Sequence, residues 1–405
     1  MRPNSKPKIL LFSTLNPYPF WAGSETFWYD FVKDARVNAR FRFQLVLADS
    51  PVTRAKTEPL AAAGVRTDFY KHFNVDFARR NLYRLADGIR KKATRTLPWY
   101  DKIAEEKPAL VWFNVAALAD LRELVYATRI CKREKIPYWL ILQHGTDNFF
   151  LTSESEIETV GEVATGAKKF IFIARKNRYS LERAIGQKLE NAFHTVNALP
   201  AEKIAEAGKI AGSSPVGTGD AARFFNLGRY SPVDKAQYLL LEALAEDVWK
   251  TRNWELTFIG IDGFGKYYLE KMLDFYGLSR EKIKILAHTR DVFAEIAKQD
   301  VLLMPSLAEG TPFAMIEAMA CARPALGTPI GGIPELIIDR RTGWLAGSVD
   351  VSDIAESLEQ VWQDRKRWRE FGENAQKHVA ENYNEEISFA ELADVLAADI
   401  GLAQK

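Results

Sequence analysis

The chain lacks most of the features that announce a function at sight. Only two of its 405 residues are cysteine, Cys131 and Cys321. They have no metal-ligand spacing and lie in apolar, helix-like context, so reduced, buried thiols are expected. No Asp-x-Asp pair occurs, which argues against a diphosphate held through a metal ion. The first apolar run leads into STLNPYPFWAGSE rather than a G-x-G-x-x-G turn, which removes the usual dinucleotide-binding start. No apolar run nears the ~18 residues of a membrane-spanning helix. The opening MRPNSKPK and ILLFSTL are too short for a cleaved export signal, so a cytoplasmic protein is expected. Net charge is scarce too: 55 Lys and Arg against 53 Asp and Glu leave +2, which excludes the strongly basic kind of nucleic-acid binder.

What is present is apolar material, 47% hydrophobic and 12% aromatic, in a chain long enough for two cores. Short runs apolar on both faces recur at 8–14, 43–48, 109–115, 138–143 and 169–174, separated by stretches with helical spacing. That alternation describes a parallel sheet covered on both sides. It restarts at 222–228 and continues through 254–260, 282–287, 300–306, 323–328 and 343–347. Between the two series lies GSSPVGTG (212–219), a cluster of breakers. The expected fold is α/β, with doubly wound Rossmann-like domains over 1–211 and 212–384 and a final helix over 385–405. Ile387, Leu392, Val395, Leu396 and Ile400 fall roughly on one side of that helix. Ligands of such sheets sit at the carboxyl ends of strands, and two facing domains make a cleft.

The chemistry concentrates in SLAEGTPFAMIEAMACAR (306–323), which reads as a strand end opening into a buried helix. Thr311 is placed to cap that helix, with Pro312 in its first turn. The N–H groups of Gly310, Thr311 and Phe313 would favour an anion by ~0.3–2 kcal/mol. Glu309 precedes the helix and Glu317 lies within it among apolar neighbours. An unpartnered buried carboxylate costs several kcal/mol, so each needs a partner or a ligand. A cap and an internal salt bridge would satisfy them. So would the hydroxyls of a polyol attached to a phosphate, and Arg229 and Lys235, in a loop after another strand, could neutralise a diphosphate.

In the order GRYSPVDK, LTFIGIDG, ILAHTRDV, DVLLMPSLAEGTPFAMIEAMA, RPALGTPIGGIPELI and TGWLAG, residues 224–383 resemble the family 4 nucleotide-sugar-dependent glycosyltransferases of GT-B fold. The resemblance implies two facing Rossmann-like domains, the first binding the acceptor and the second a nucleoside-diphosphate sugar, with a terminal helix crossing back to the first. It implies that EGTPFAMIE is the E-x7-E signature, Glu309 contacting the donor sugar and Glu317 the ribose. Arg229 and Lys235 would hold the diphosphate, and His288 to Arg290 would line the nucleobase pocket. NPYPFWAGSETF resembles the family's G-G-x-E loop, with Gly23 where backbone approaches the diphosphate and Ala22 in place of the first glycine. His144, in LILQHGTDNF, would lie beside the reacting carbon. Gly331 and Gly332 would let backbone pass close to another segment. Ala236 and Ala287 stand where the family often has glycine.

The implied activity is retaining, metal-independent glycosyl transfer to a glycan or lipid-linked acceptor in cell-surface polysaccharide or glycolipid biosynthesis, with no cofactor beyond the donor. Rival readings are a sugar-nucleotide epimerase or hydrolase on the same architecture, or a non-catalytic sugar-nucleotide-binding scaffold. Residues 71–102 carry nine Lys or Arg against three Asp with aromatics interleaved. They suit either an anionic membrane surface, which would place the protein peripherally at the inner membrane face, or a solvated helix face with its aromatics in the core.

Overall fold

The computed structural model describes residues 6–14, 21, 23–70, 98–263, 265–289 and 291–402. Most of the basic stretch 71–102 lies outside them. At its described end, Tyr100 is buried in the core and Lys102 pairs with Asp68 at 3.1 Å.

Two parallel sheets organise the chain. The first, in order β3-β2-β1-β4-β5-β6-β7, comprises β1 (Lys8–Ser13), β2 (Arg42–Ala48), β3 (Arg66–Tyr70), β4 (Leu110–Val115), β5 (Tyr138–Leu142), β6 (Lys169–Phe172) and β7 (Ala192–His194). The second, in order β10-β9-β8-β11-β12-β13, comprises β8 (Ala222–Leu227), β9 (Trp254–Ile259), β10 (Ile283–Leu286), β11 (Val301–Met304), β12 (Ala325–Gly327) and β13 (Gly343–Leu345). All eleven apolar runs read from the sequence contain strands. β3 and β7 were not among them. Both are edge strands whose residues are only partly buried, so they lack the two-sided apolar pattern.

Alternate residues of each central strand feed different cores. Leu10 and Phe12 pack on one face of the first sheet with Val111 and Phe113, while Ile9 and Leu11 pack on the other with Leu110 and Trp112. The second sheet divides likewise, Phe224 and Val301 on one side, Phe225 and Leu302 on the other. In each sheet the strand order reverses at one place, between β1 and β4 and between β8 and β11. Crevices open there at the carboxyl ends.

The domain boundary differs from the sequence expectation. The helix Ala201–Ser213 runs through residue 212 and packs on the second domain, burying Ala207 beside Ala318 and Met319. Leu199 already belongs to that core. A boundary at 211 and 212 would cut this helix; GSSPVGTG ends it instead of joining domains.

The final helix, Glu385–Asp399, covers the first domain. Phe389 sits edge-on to Phe31 and Phe27, at 5.4 and 5.9 Å between ring centroids. Trp139 Nε1 donates to Asp399 at 2.8 Å, and Arg40 pairs with Asp394 at 2.7 Å. Its buried side is Phe389, Leu392, Ala393, Leu396 and Ala397, so Ile387, expected on that side, is exposed. No helix among the described residues is long and apolar enough to cross a membrane. Phe389→Ala should cost about 3 kcal/mol or more, as truncation of a buried Phe does, read as a lower denaturant midpoint in the unfolding curve. A midpoint equal to wild type would mean the helix contributes nothing to the first domain's stability.

Candidate functional site

The loop after β11 meets the loop after β5 head on. Glu309 and Gly145 exchange backbone hydrogen bonds as an antiparallel bridge, Gly145 N donating to Glu309 O at 3.2 Å and Glu309 N to Gly145 O at 3.1 Å. Asn177 Nδ2 adds a third bond to Glu309 O at 3.0 Å. The approach is so close that a Cβ on Gly310 would lie 2.0 Å from Gln143 O, and one on Gly331 2.4 Å from Glu309 O. Gly331 also has φ +55°, the left-handed region glycine adopts freely. The close backbone passage expected at Gly331 and Gly332 is therefore present, and its neighbour is Glu309 itself.

Around this junction four charged side chains converge. Glu309, almost fully buried, accepts from Lys235 Nζ at 2.6 Å and Ser306 Oγ at 2.8 Å. Arg229 pairs with Asp234. Asp234 also receives Leu307 N at its backbone carbonyl, 2.8 Å away, which ties the loop after β8 to the loop carrying Glu309. Burial would raise the Asp234 pKa, but Lys235 and Arg229 outweigh it and hold the carboxyl below its ordinary value. His144 comes from the first domain. Its Nε2 is enclosed and has no hydrogen-bond partner among the described residues. Burial and Lys235 hold its pKa low against the opposing pull of Glu309 and Asp234, so the ring is neutral at pH 7.

The second glycine cluster has a packing explanation. A Cβ on Gly260 would meet Gly228 O at 1.8 Å, and one on Gly263 would meet the stem of Arg229 at 2.4 Å. GIDGFG therefore makes room for the Arg229 loop. That loop ends at Ala236, buried and left-handed at φ +46°, so an alanine takes here a conformation that glycine usually supplies.

The site thus unites His144, Arg229, Lys235 and Glu309, with Gly310, Thr311, Pro312 and Phe313 following directly. Thr311 does not cap the helix Phe313–Ala320: its hydroxyl donates to Ile173 O of the first domain, and Pro312 occupies the cap position without a side-chain bond. Lys235 stays in the turn that precedes the helix Tyr238–Leu244. Gly23 begins the helix Gly23–Lys33, and a Cβ there would lie 3.5 Å from the Phe313 ring. Glu317 stands apart from the four charges. Burial pushes its carboxyl up to about 7, with only Lys203 opposing. His288 is exposed after β10, and Arg290 lies outside the described residues.

Two acidic groups escaped the sequence reading. Asp234 adjoins Lys235, where an acid looks like half of a solvated pair. Glu25 is buried under the cleft, accepting from Ser13 Oγ at 2.7 Å, Trp28 Nε1 at 2.9 Å and Asn114 Nδ2 at 3.1 Å. Asn114 in turn accepts from Gln143, the residue before His144, at 2.9 Å. Burial outweighs those three donors and raises Glu25 to about 7. The signal available was its place as the acid of the G-G-x-E-like stretch, in the first turn of the helix Gly23–Lys33.

Solved structures share the fold across almost the whole chain. HepE of Anabaena in complex with UDP and glucose matches with TM-score 0.69 at 17% identity, covering 97% of this chain and all of that one. Sucrose-phosphate synthase from Thermosynechococcus elongatus matches with TM-score 0.70 at 14% identity, covering 98% and 100%. The fold is GT-B. Within this GT-B chain, residues 221–364 match the family model described as Glycosyl transferases group 1. N-acetyl-alpha-D-glucosaminyl L-malate synthase of Bacillus anthracis is 33% identical over 106 residues, 26% of this chain and 28% of that one. Trehalose synthase of Thermococcus litoralis is 33% identical over 156 residues, 37% and 34%. The match spans about a third of the length of these curated relatives. The family-model match lies within the second domain.

Two outcomes are expected. Gly310→Ala forces backbone apart at the junction, so hydrogen exchange of the Gly145 amide should rise; exchange at the wild-type rate would show that the loops tolerate the methyl. Glu25, raised from 4.5 to about 7 in the folded state, contributes stability that is full below about pH 4.5 and lost as pH rises through about 7. Glu25→Gln should therefore gain on wild type by up to about 3 kcal/mol between pH 5 and pH 8 in urea unfolding. An equal difference at both pH values would mean Glu25 is already ionised at pH 5.

Proposed function

We propose that the protein transfers a glycosyl group from a nucleoside-diphosphate sugar to a glycan or lipid-linked acceptor, with retention of configuration and without a metal ion. The observation that carries this reading is the convergence of His144 from one domain with Arg229, Lys235 and Glu309 from the other, the latter three following the switch-point strands β8 and β11. A leaving diphosphate needs positive charge as the anomeric bond breaks, and Arg229 and Lys235, both beside the seam, can supply it. Glu309, oriented by Lys235 and Ser306, is held to accept from donor-sugar hydroxyls. His144, neutral and with Nε2 unpartnered, can do the same or donate, according to its tautomer. Gln143 Oε1, Asn177 Oδ1 and Asn197 Oδ1 are also buried without partners among the described residues. Such groups rarely stay unsatisfied, which favours a polar, hydroxyl-rich ligand here.

Retention and metal independence rest on the family resemblance. So does the ribose role of Glu317. UDP, with glucose, is bound in the HepE structure, and the relatives include a colanic acid biosynthesis glycosyltransferase. A place in cell-surface polysaccharide or glycolipid synthesis accords with both.

The deciding experiment is calorimetric titration with UDP, GDP and ADP in EDTA, followed by turnover of the sugar nucleotide that binds. Consumption of the donor only when an acceptor is supplied would support transfer; consumption without one would indicate an epimerase or hydrolase, and binding without turnover a scaffold. Lys235→Ala should lower kcat/KM by about a hundredfold, the usual order for loss of one oxyanion donor. A wild-type rate would place the diphosphate elsewhere.

A further inference from the structure

The two cations of the cleft are each already matched by a carboxylate: Lys235 by Glu309 at 2.6 Å, Arg229 by Asp234. The pairs differ in kind. Glu309 lies on the loop fastened to the first domain and receives a second bond from Ser306, so its carboxylate is fixed. Asp234 lies in the turn between Arg229 and Lys235, five residues along the chain from its partner, and its side chain is more enclosed than that of Arg229, which is one-third exposed. Ser231 already serves as a second donor to Asp234. A carboxylate resembles one face of a phosphate in charge and in the geometry it offers a guanidinium.

We propose that Asp234 is a specificity-determining residue that occupies Arg229 in place of phosphate, keeping the cleft electrically neutral so that small free anions do not bind and only a diphosphate carried by a nucleoside displaces it. The proposal rests on the reading of the cleft as a diphosphate site and adds what that site rejects. Two cations facing two carboxylates offer a free phosphate or pyrophosphate no net attraction. A ligand that gains further contacts from its base and sugar can take Arg229, while Asp234 keeps Ser231 as its donor. Negative charge held beside the anion's place also opposes every anion that enters, by an amount that Coulomb's law puts at about tenfold or more in affinity at this range.

The sign of one substitution separates this role from a structural one. In Asp234→Asn the backbone bonds to Leu307 and Ala308 remain, and the amide can still accept from Ser231. Calorimetry with inorganic pyrophosphate should show affinity increased about tenfold over wild type, with a smaller gain for UDP, so that discrimination between the two shrinks. Asp234→Glu keeps the charge and should keep the discrimination. Pyrophosphate affinity that is unchanged or lower in Asp234→Asn, or raised equally in Asp234→Glu, overturns the proposal. Should Asp234→Asn lose its cooperative melt, Asp234→Ser repeats the test. If wild type binds none of UDP, GDP or ADP, the nucleotide-sugar reading fails separately, and the pyrophosphate series still decides what Asp234 does to Arg229.

Discussion

Backbone meeting backbone at Glu309 and Gly145 is the contact on which the cleft depends. Hydrogen bonds between peptide groups require an approach that side chains would block, and at Gly310 and Gly331 a single Cβ would collide with a carbonyl. Glu309 consequently belongs to both domains, its main chain bound to the first and its carboxylate to Lys235 and Ser306 of the second. Separation of the domains would release the main chain while leaving the carboxylate paired. Three further bonds brace the same seam: Asn197 Nδ2 to Thr311 O at 2.7 Å, Arg175 N to Glu335 at 2.7 Å, and the Thr311 hydroxyl to Ile173 O.

Electrostatics follow from this enclosure. Ion pairs on an open surface contribute little, but beside a closed seam the same charges interact strongly and any unmatched one is costly. The cluster resolves that by pairing every charge inside the protein, and His144 resolves it by staying neutral. Glu25, one layer below, is balanced differently. Three donors favour its ionised form and burial favours the acid, leaving it near the middle of the physiological range. A buried chain of Glu25, Asn114 and Gln143 therefore leads from the first sheet to the residue beside His144.

Much of this could be read from the residues, and what could not has physical reasons. Strands buried on both faces declare themselves by apolar runs, whereas β3 and β7, open on one edge, do not. Arg229, Lys235, Glu309 and His144 were legible because each follows such a strand, where ligands gather. Asp234 and Glu25 were not, because a carboxylate's partners are set by tertiary packing that local pattern does not encode. Thr311 has the composition of a cap and the position of one, but a carbonyl from the other domain competes for its hydroxyl and wins. Phe389 replaced Ile387 on the buried side of the last helix because the facing surface, Phe27 and Phe31, is aromatic.

The last helix also orders events in time. Its apolar side completes a core built from residues 9 to 173, yet it is made after the whole second domain, some 190 residues beyond β7. At the usual ~5–20 residues per second of synthesis, the first domain waits on the order of ten seconds or more without the last helix's share of that core. During the same interval Leu199 lacks its later bridge partner, Asn384, so the crossing of the chain between the domains also forms only when the chain is nearly finished. Until then Phe27, Phe31 and Trp139, the aromatic rings that the last helix meets, lack that cover.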